Sequence, residues 1–205
     1  MIDHLVLASP DPLATRSWLA EATGVELGAG GPHVGLGTTN WLGTLEGGPS
    51  GGTYLELIGP DPDQPEPEAA RPFGIDDLTE ARLVTWCSRQ SGLVALRSRL
   101  AGVLEMTEPS PMQREAPAGL LSWELAFPLD DQGGVVPFFI DWLDSPHPST
   151  VVTPGLSLAS FALVHPDPER MAEVLAAIGE GVAVEAGDEP GIRARLTGHA
   201  GSIDL

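Results

Sequence analysis

The chain has 205 residues and a formal net charge of −19, with 29 acidic residues against 10 basic ones, all of them arginine. This acidity disfavours nucleic acid as a partner, because binding to a phosphate backbone needs a cationic patch. No apolar run is long enough to span a bilayer and the first residues enter a strand without a signal sequence, which predicts a cytoplasmic protein with no membrane partner. The single cysteine, Cys87, excludes an intrachain disulfide and is expected to be a small buried core residue.

A short segment that occurs twice sets the predicted architecture. Residues 2–12 and 158–168 both run from a half-buried strand into an Asp-Pro pair. The aspartate is typical of a helix N-cap and the proline of the first helical position, where its missing N–H costs nothing. The two copies differ at one polar position, since the first has His4 where the second has Ser160.

Each copy continues as a β-α-β-β-β unit. The predicted helices end at Gly24 and Gly179, and the strand-like runs that follow are residues 32–38, 41–45 and 53–58 in the first copy and 182–186, 192–197 and 202–205 in the last. A more diverged middle copy has a helix marked by Leu93, Leu96 and Leu100, with strands at residues 83–88, 110–115, 120–127 and 135–143. The sequence therefore predicts an α+β fold with units at residues 1–60, 81–148 and 155–205, and a proline-rich acidic linker at residues 61–80.

Two polar side chains interrupt the apolar strands of the first unit. Alternation places His4 on one face of the first strand and Glu56 on one face of the last strand, and the two converge if these strands are neighbours. An imidazole beside a carboxylate is half of a transition-metal site. The alternative is a buried hydrogen-bonded couple without a metal.

The last strands of the other two units offer corresponding carboxylates. Aligning residues 139–142 with residues 54–57 puts Asp141 in the position of Glu56, and Asp204 takes that position in the third unit. A charge among strand formers needs a partner, so we expect Glu56 and Asp141 to face one shared cavity. Asp204 has no matching histidine and is expected to be structural or solvated.

These residues carry a resemblance to a known family. The chain opens with Ile2-Asp3-His4-Leu5 and its first unit closes with Tyr54-Leu55-Glu56-Leu57-Ile58, which resembles the vicinal oxygen chelate superfamily. The runs similar to its glyoxalase-like domain branch are Gly31-Pro32-His33, Gly35-Leu36-Gly37-Thr38-Thr39-Asn40, Arg71-Pro72-Phe73-Gly74, Ile140-Asp141-Trp142 and Pro146-His147-Pro148. The resemblance implies repeated units that form a cupped, partly open barrel around a divalent metal or a small ligand.

Carried over residue by residue, the resemblance implies metal ligands at His4, Glu56 and, with a shorter side chain, Asp141. The first strand of the second unit departs from the family pattern, because residues 84–86 include no ordinary metal donor. The expectation is therefore a three-ligand site for Zn, Fe, Mn or Ni, completed by water or substrate, or no metal at all.

Five further residues are candidates for contact with a small molecule: His33, Asn40, Trp86, Arg114 and Trp123. The first two lie beside glycines that allow a ligand to approach, the arginine can hold a carboxylate or phosphate, and the tryptophans can line an apolar pocket. The alternatives are surface positions for the polar residues and core positions for the tryptophans.

Two functions follow from these residues. The first is an enzyme in which a divalent metal on His4, Glu56 and Asp141, with Glu56 as the catalytic residue, acts on vicinal oxygens of a small substrate in lyase, isomerase or dioxygenase chemistry. The second is a metal-free module of the bleomycin-resistance type that binds or sequesters a small hydrophobic or cationic molecule. His147 and His165 are interpreted as surface groups.

The third unit bears on assembly. The resemblance implies that units work in pairs, and three units then leave one with apolar faces to cover. The sequence therefore predicts a homodimer, with the third unit in the interface or packed on the other two units.

Overall fold

The structure is a computed structural model that describes residues 1–47, 52–116 and 119–205, with residues 115 and 116 described by their backbone alone. The elements in chain order are β1 (Ile2–Ala8), α1 (Pro12–Thr23), β2 (Gly28–His33), β3 (Thr38–Glu46), β4 (Thr53–Pro60), β5 (Arg82–Arg89), α2 (Leu93–Leu100), β6 (Ser110–Ala116), β7 (Gly119–Ala126), β8 (Phe138–Asp141), β9 (Thr153–His165), α3 (Pro168–Ile178), β10 (Val184–Ala186), β11 (Gly191–Thr197) and β12 (Ser202–Asp204). Two 3-10 helices, Pro72–Asp77 and Pro148–Thr150, lie in the connections. None of the helices formed by the described residues is long and apolar enough to cross a membrane.

The strands of the described residues form one mixed sheet that does not close on itself. Their order is β12-β11-β9-β3-β4-β1-β5-β8-β7-β6, with β10 paired to β9 and β2 paired to β3. β1 lies parallel to β4 and antiparallel to β5, so the first strands of the first two units meet side by side. The predicted α+β fold with a cupped, open sheet is confirmed.

The repeated Asp-Pro signal begins two helices as predicted. Asp11 and Asp167 each accept a hydrogen bond of 3.0 Å from the backbone N–H three residues further on, and a proline follows each of them. Gly24 and Gly179 end these helices in the left-handed conformation, with φ of 77° and 95°. Only glycine adopts this conformation without a steric penalty, which is why it marks the ends of both helices.

One face of the sheet packs against the helices, and the other face lines a cavity. The face away from the cavity packs in one large core with α1, α2, α3 and the strands of the third unit, and that core includes Leu5, Leu55, Trp86, Phe139, Leu163 and Leu175. Trp86 on β5 meets Phe161 on β9 edge to face, with ring centroids 5.7 Å apart. The apolar faces of the third unit are thus covered by the same chain. The homodimer stays a prediction, but an uncovered third unit no longer supports it.

One predicted strand of the first unit is wrong. Residues 32–38 were expected to form a single strand, but β2 ends at His33 and β3 begins at Thr38, with a turn between them. Gly35 and Gly37 in this turn have φ of 84° and 62°. These left-handed conformations reverse the chain, so the glycine-rich run is the tip of a hairpin.

Candidate functional site

A cavity of about 140 Å³ lies on the inner face of the sheet and has two unlike walls. The first unit supplies a polar wall from β1, β3 and β4, which carry His4, Asn40 and Glu56. The second unit supplies a mainly apolar wall, in which Trp123 and Phe138 are typical, together with one cation, Arg114. The two repeats have therefore diverged in chemistry while together enclosing one site.

Asp3 and His4 form a buried pair beneath the polar wall. The register between β1 and β5 shifts between Ile2 and His4, and this irregularity passes over Asp3. Adjacent strand residues ordinarily point to opposite faces, but here Asp3 Oδ1 lies 2.7 Å from His4 Nδ1. Both side chains are buried, and Asp3 is fully so, with an exposed fraction of 0%.

Three donors surround the Asp3 carboxylate. Besides His4 Nδ1, its Oδ2 accepts from His147 Nε2 at 2.8 Å and from Trp142 Nε1 at 3.0 Å. Burial acts to raise the pKa of Asp3, but the hydrogen bonds from His147 and His4 outweigh it and hold the pKa well below its ordinary value. Asp3 is therefore ionised at neutral pH and can only accept hydrogen bonds.

The interpretation of two histidines as surface groups is wrong. The His147 side chain is only 12% exposed and links Asp3 to Tyr54, with its ring centroid 5.6 Å from that of Tyr54. His165 is also buried and bonds within the loop that precedes α3, at Asp167. The prolines around His147 and the loop position of His165 misled the interpretation, because a proline-flanked or loop residue is more often exposed.

His4 and Glu56 converge on the cavity, as predicted from strand phase. In the parallel pairing of β1 and β4, Val6 lies opposite Glu56, so His4 is two residues away on the same face. His4 Nε2 is 3.5 Å from Glu56 Oε2, and both side chains line the cavity. The Tyr54 ring stacks on the His4 ring at a centroid distance of 4.6 Å and limits its movement.

Asn40 and His33 extend this polar wall. Asn40 Nδ2 donates to Glu56 Oε1 at 2.5 Å and lies 3.3 Å from His33 Nε2, which is itself 3.9 Å from Glu56 Oε1. Asn40 Oδ1 is buried without a hydrogen-bond partner among the described residues, and it sits against Gly30, where a Cβ would come within 2.0 Å of it. Burial lowers the pKa of His33, with Glu56 opposing and Arg114 reinforcing the shift. His33 is therefore mainly neutral at neutral pH.

Burial keeps the Tyr54 side chain, on the same wall, uncharged. Burial raises the pKa of the Tyr54 phenol well above its ordinary value, and the negative charges of Asp3 and Glu56 raise it further. The phenol therefore stays protonated at neutral pH.

The expectation that Asp141 faces the cavity is wrong. Asp141 Oδ2 accepts from the backbone N–H of Gly92 at 2.7 Å, at the start of α2, and Oδ1 accepts from Leu143 N–H at 3.0 Å. Its strand neighbours Ile140 and Trp142 line the cavity instead. Because side chains alternate along a strand, the alignment with Glu56 was off by one residue.

The remaining candidates divide between cavity and core. His33, Asn40, Arg114 and Trp123 line the cavity, which places them where a ligand would lie. Trp86 does not, since it is 0% exposed on the opposite face and donates from Nε1 to the backbone oxygen of Val135 at 2.9 Å. For Trp86 the core alternative holds.

Asp204 lies far along the sheet from the cavity. Its carboxylate is 3.4 Å from Arg195 Nη1 on the neighbouring strand, and both side chains are largely exposed. The expectation of a solvated group at this position is confirmed.

The donor atoms allow a test of the predicted metal site. The separation of His4 Nε2 and Glu56 Oε2, 3.5 Å, suits two ligands of one ion, since bonds of about 2.1 Å at a tetrahedral angle put donors about 3.4 Å apart. Asp141, the third predicted ligand, is engaged at the start of α2. Phe138 from the second unit meets the His4 ring edge-on, with ring centroids 5.4 Å apart.

One group of three donors within 4.8 Å of one another occurs in the described part of the chain, and it comprises Asp3, His4 and Cys87. The first two are hydrogen-bonded to each other. The third, Cys87, is buried and does not line the cavity. The residues that face the cavity therefore do not fit the predicted three-ligand metal site.

Asp3 is a candidate site residue that sequence reasoning missed, as was its partner His147. Strand alternation assigns Asp3 to the face opposite His4, and the irregularity that brings the two together has no sequence signature of its own. A signal was nevertheless present, since Asp3 is a charged residue among strong strand formers and needs a buried partner. The same reasoning had selected Glu56.

Comparison with known proteins agrees with this architecture. The sequence model of the glyoxalase-like domain family matches residues 2–179. No curated protein matches the chain significantly in sequence. A hypothetical protein from Staphylococcus aureus has a similar structure, with a TM-score of 0.63 and 18% identity over 99% of this chain and 83% of the other.

Two methylmalonyl-CoA epimerases are more distant in structure. The enzyme from Mycobacterium tuberculosis has a TM-score of 0.45 and 15% identity over 73% of this chain and 91% of its own. The enzyme from Streptomyces coelicolor has a TM-score of 0.47 and 18% identity over 71% of this chain and 98% of its own. The match over residues 2–179, which is most of the chain, shows that this protein belongs to the glyoxalase-like domain family.

Proposed function

We propose that this protein binds a small molecule in the cavity and catalyses a proton transfer on it, with Glu56 and His4 as the acid–base pair. The observation that supports this is the row formed by Asp3, His4 and Glu56, with contacts of 2.7 Å and 3.5 Å, whose far end faces the cavity. A carboxylate, an imidazole and a second carboxylate in line are typical of sites that move protons.

The role of His4 follows from its partner. An ionised carboxylate only accepts hydrogen bonds, so Asp3 holds the proton of His4 on Nδ1. The other ring nitrogen, Nε2, then faces Glu56 and the cavity and is the atom at which a proton arrives or leaves. Asp3 is a positioning residue, because it acts on the substrate only through His4.

The role of Glu56 follows from its place on the wall. Asn40 fixes Oε1, which leaves Oε2 directed toward His4 Nε2. In the proposed reaction Glu56 takes a proton from a carbon next to a carbonyl group, and the bonding electron pair moves to the carbonyl oxygen to give an enolate. When that carbon bears a hydroxyl group, return of the proton from the Glu56–His4 pair to the former carbonyl carbon, with transfer of the hydroxyl proton to the enolate oxygen, completes an isomerisation without a change of oxidation state.

The proposal uses no metal. Catalytic transition-metal sites have three protein ligands, and the cavity presents His4 and Glu56 at a suitable separation, with Asp141 turned away. A metal-free binding protein is the second candidate, and the aromatic wall favours it, because stacked rings such as Phe127 and Phe138, 5.3 Å apart, bind flat molecules without any chemistry.

Solvent exchange tests the proposal. The protein is incubated in D₂O with a panel of small 2-keto acids, 2-hydroxy ketones and aryl ketones, and deuterium incorporation at the carbon next to the carbonyl is followed by NMR. We expect incorporation with at least one member that is lost in Glu56→Gln and His4→Ala. Binding of panel members with no incorporation in the wild type contradicts the enzyme and favours the binding protein.

A further inference from the structure

The cavity contains a cation whose charge is not used by the proton-transfer site. Arg114 on β6 lines the cavity. Among the residues whose side chains are described, no carboxylate lies within ion-pair distance of it, and its buried Nε has no hydrogen-bond partner. In contrast, Arg16, Arg71 and Arg97 are each paired with a glutamate at 2.8 Å.

The lack of an ion pair matters because of the composition of the chain. Acidic residues outnumber basic ones by 29 to 10, so an arginine can readily find a carboxylate. A guanidinium presented to a mainly apolar cavity is costly to desolvate unless a partner arrives. The partner that best satisfies it is a planar anion, which can accept two parallel hydrogen bonds from the guanidinium.

The position of Arg114 separates it from the reacting groups. Its guanidinium lies beside the backbone of Gly31, where a Cβ would be 3.5 Å from Nη1. Glu56 and Arg114 form no ion pair, although both line the cavity. His33 lies 3.9 Å from Glu56 Oε1, and the charge of Arg114 helps to lower the pKa of His33. The cavity therefore presents two charged groups that are not paired with each other, an acid–base end at Glu56 and a cationic end at Arg114.

The space between these ends is lined by rings. Trp123 and Trp142 lie 5.6 Å apart, and Phe73 and Phe138 lie 5.7 Å apart. A volume of about 140 Å³ is similar to that of an engineered apolar cavity of about 150 Å³ that holds benzene. A body the size of one aromatic ring therefore fits against this wall.

We propose that the ligand is a small aromatic carboxylate, whose ring packs against the aromatic wall and whose carboxylate pairs with Arg114. The assignment rests on the proposed function for the identity of the site but concerns binding alone. The proposed ligand is an anion, whereas a cationic molecule was one alternative suggested by the sequence. The charge that a ligand meets inside the cavity is set locally by Arg114 rather than by the distant acidic surface.

Three isosteric probes test the assignment. Phenylacetate, phenylacetamide and phenethylamine share one ring and differ in charge, and their binding is measured by ligand-observed NMR and by tryptophan emission. We expect phenylacetate to bind at least tenfold more tightly than the neutral amide, which corresponds to about 1.4 kcal/mol, and the amine to bind no better than the amide. Equal binding of acid and amide, preferred binding of the amine, or no saturable binding of any probe overturns the proposal.

Matched variants separate the local charge from the net charge. Arg114→Gln is expected to abolish the preference for phenylacetate over the amide, whereas Arg99→Gln, at an exposed position of α2, makes the same change in net charge and is expected to keep it. A loss of preference in both variants contradicts a specific site. If Arg114→Gln fails to fold, the preference of the wild type decides alone.

The same experiment distinguishes this proposal from the proposed function. A preference for phenylacetate that persists in His4→Ala, with no deuterium exchange in the wild type on any panel member, leaves the anion site standing and removes the enzyme. Deuterium exchange in the wild type without a preference for phenylacetate leaves the enzyme standing and removes the anion site.

Discussion

His4 Nδ1 lies 2.7 Å from Asp3 Oδ1, so two residues adjacent on one strand form a hydrogen-bonded pair that strand alternation would separate. The local irregularity in the pairing of β1 and β5 makes this contact possible. Its consequence is chemical, because it turns a histidine next to a cavity into one with a fixed proton and a fixed direction. The predictions below follow from this pair and from the two walls around it.

Removing the Asp3 charge should affect both stability and chemistry. Asp3→Asn leaves three donors around a side chain that can no longer accept from all of them, and loss of one partner of a buried charged network costs about 3 kcal/mol. Chemical denaturation measures this loss. Deuterium exchange per folded molecule should fall while binding of phenylacetate changes less than threefold, and an unchanged exchange rate would show that Asp3 does not position His4.

The stability contributed by Asp3 should depend on pH in the acid range. The pKa of Asp3 is depressed in the folded protein, so its contribution is complete above the unfolded value of about 3.9 and is lost as the pH falls below it toward the folded pKa. The difference in unfolding free energy between wild type and Asp3→Asn should therefore narrow as the pH falls from about 4 to about 2. His4, His147, Trp142 and Arg89 are the groups that face Asp3, and the histidines are already protonated in the unfolded chain over this range. A difference that stays constant contradicts the depressed pKa.

Glu56 and Asp141 should respond differently to substitution, although the sequence aligned them. Glu56→Gln keeps the shape of the wall and is expected to slow deuterium exchange by about 100-fold or more, as for loss of a general base. Asp141→Ala removes two backbone hydrogen bonds outside the cavity and should cost about 1 kcal/mol of stability, with exchange unchanged. Comparable loss of exchange in both variants would return Asp141 to the site.

Two tryptophans give a second matched pair. Trp123 lines the cavity and Trp86 is in the core. Trp123→Phe should reduce the ligand-induced change in tryptophan emission, leaving the part that comes from Trp142 on the same wall, with stability altered by less than about 1 kcal/mol. Trp86→Phe should preserve that emission change and cost about 2 kcal/mol, because the Val135 carbonyl loses its buried donor. An emission change that is lost in Trp86→Phe and kept in full in Trp123→Phe would contradict the location of the cavity.

Metal analysis tests the donor count. Protein purified without chelator should contain well below one equivalent of Zn, Fe, Mn or Ni per chain, because His4 and Glu56 are two donors where a tight catalytic site needs three. Treatment with a chelator should leave deuterium exchange unchanged. One equivalent of metal that disappears in His4→Ala would contradict this account and support metal-assisted chemistry.

The sequence predicted most of the architecture because its signals were local. Asp11 with Gly24, and Asp167 with Gly179, mark helix ends by backbone chemistry that does not depend on the rest of the fold. The convergence of His4 and Glu56 followed from strand phase once β1 and β4 were assumed to be neighbours. Both inferences need only the alternation of side chains along a strand or a helix cap. Neither needs the exact register of two strands that are distant in sequence.

The errors arose where strand register or a long-range contact, rather than a local signal, decides the position of a side chain. The assignments of Asp141 and Trp86 required the phase of strands in the diverged middle repeat, where one residue of error moves a side chain to the other face. The pairing of Asp3 with His4 depended on an irregularity between β1 and β5 that the sequence does not mark. The contacts of His147 with Asp3 join residues 144 positions apart, beyond the reach of local patterns.

The protonation of the His4 ring is the most direct test of the account. Nitrogen NMR of ¹⁵N-histidine-labelled protein distinguishes the two ring nitrogens, and comparison with His4→Gln assigns the signals. We expect Nδ1 to carry a proton held by Asp3, and the signal of Nε2 to move when phenylacetate binds. A ring with an unprotonated Nδ1 would contradict the account, because Asp3 would then not direct His4 Nε2 toward Glu56 and the cavity.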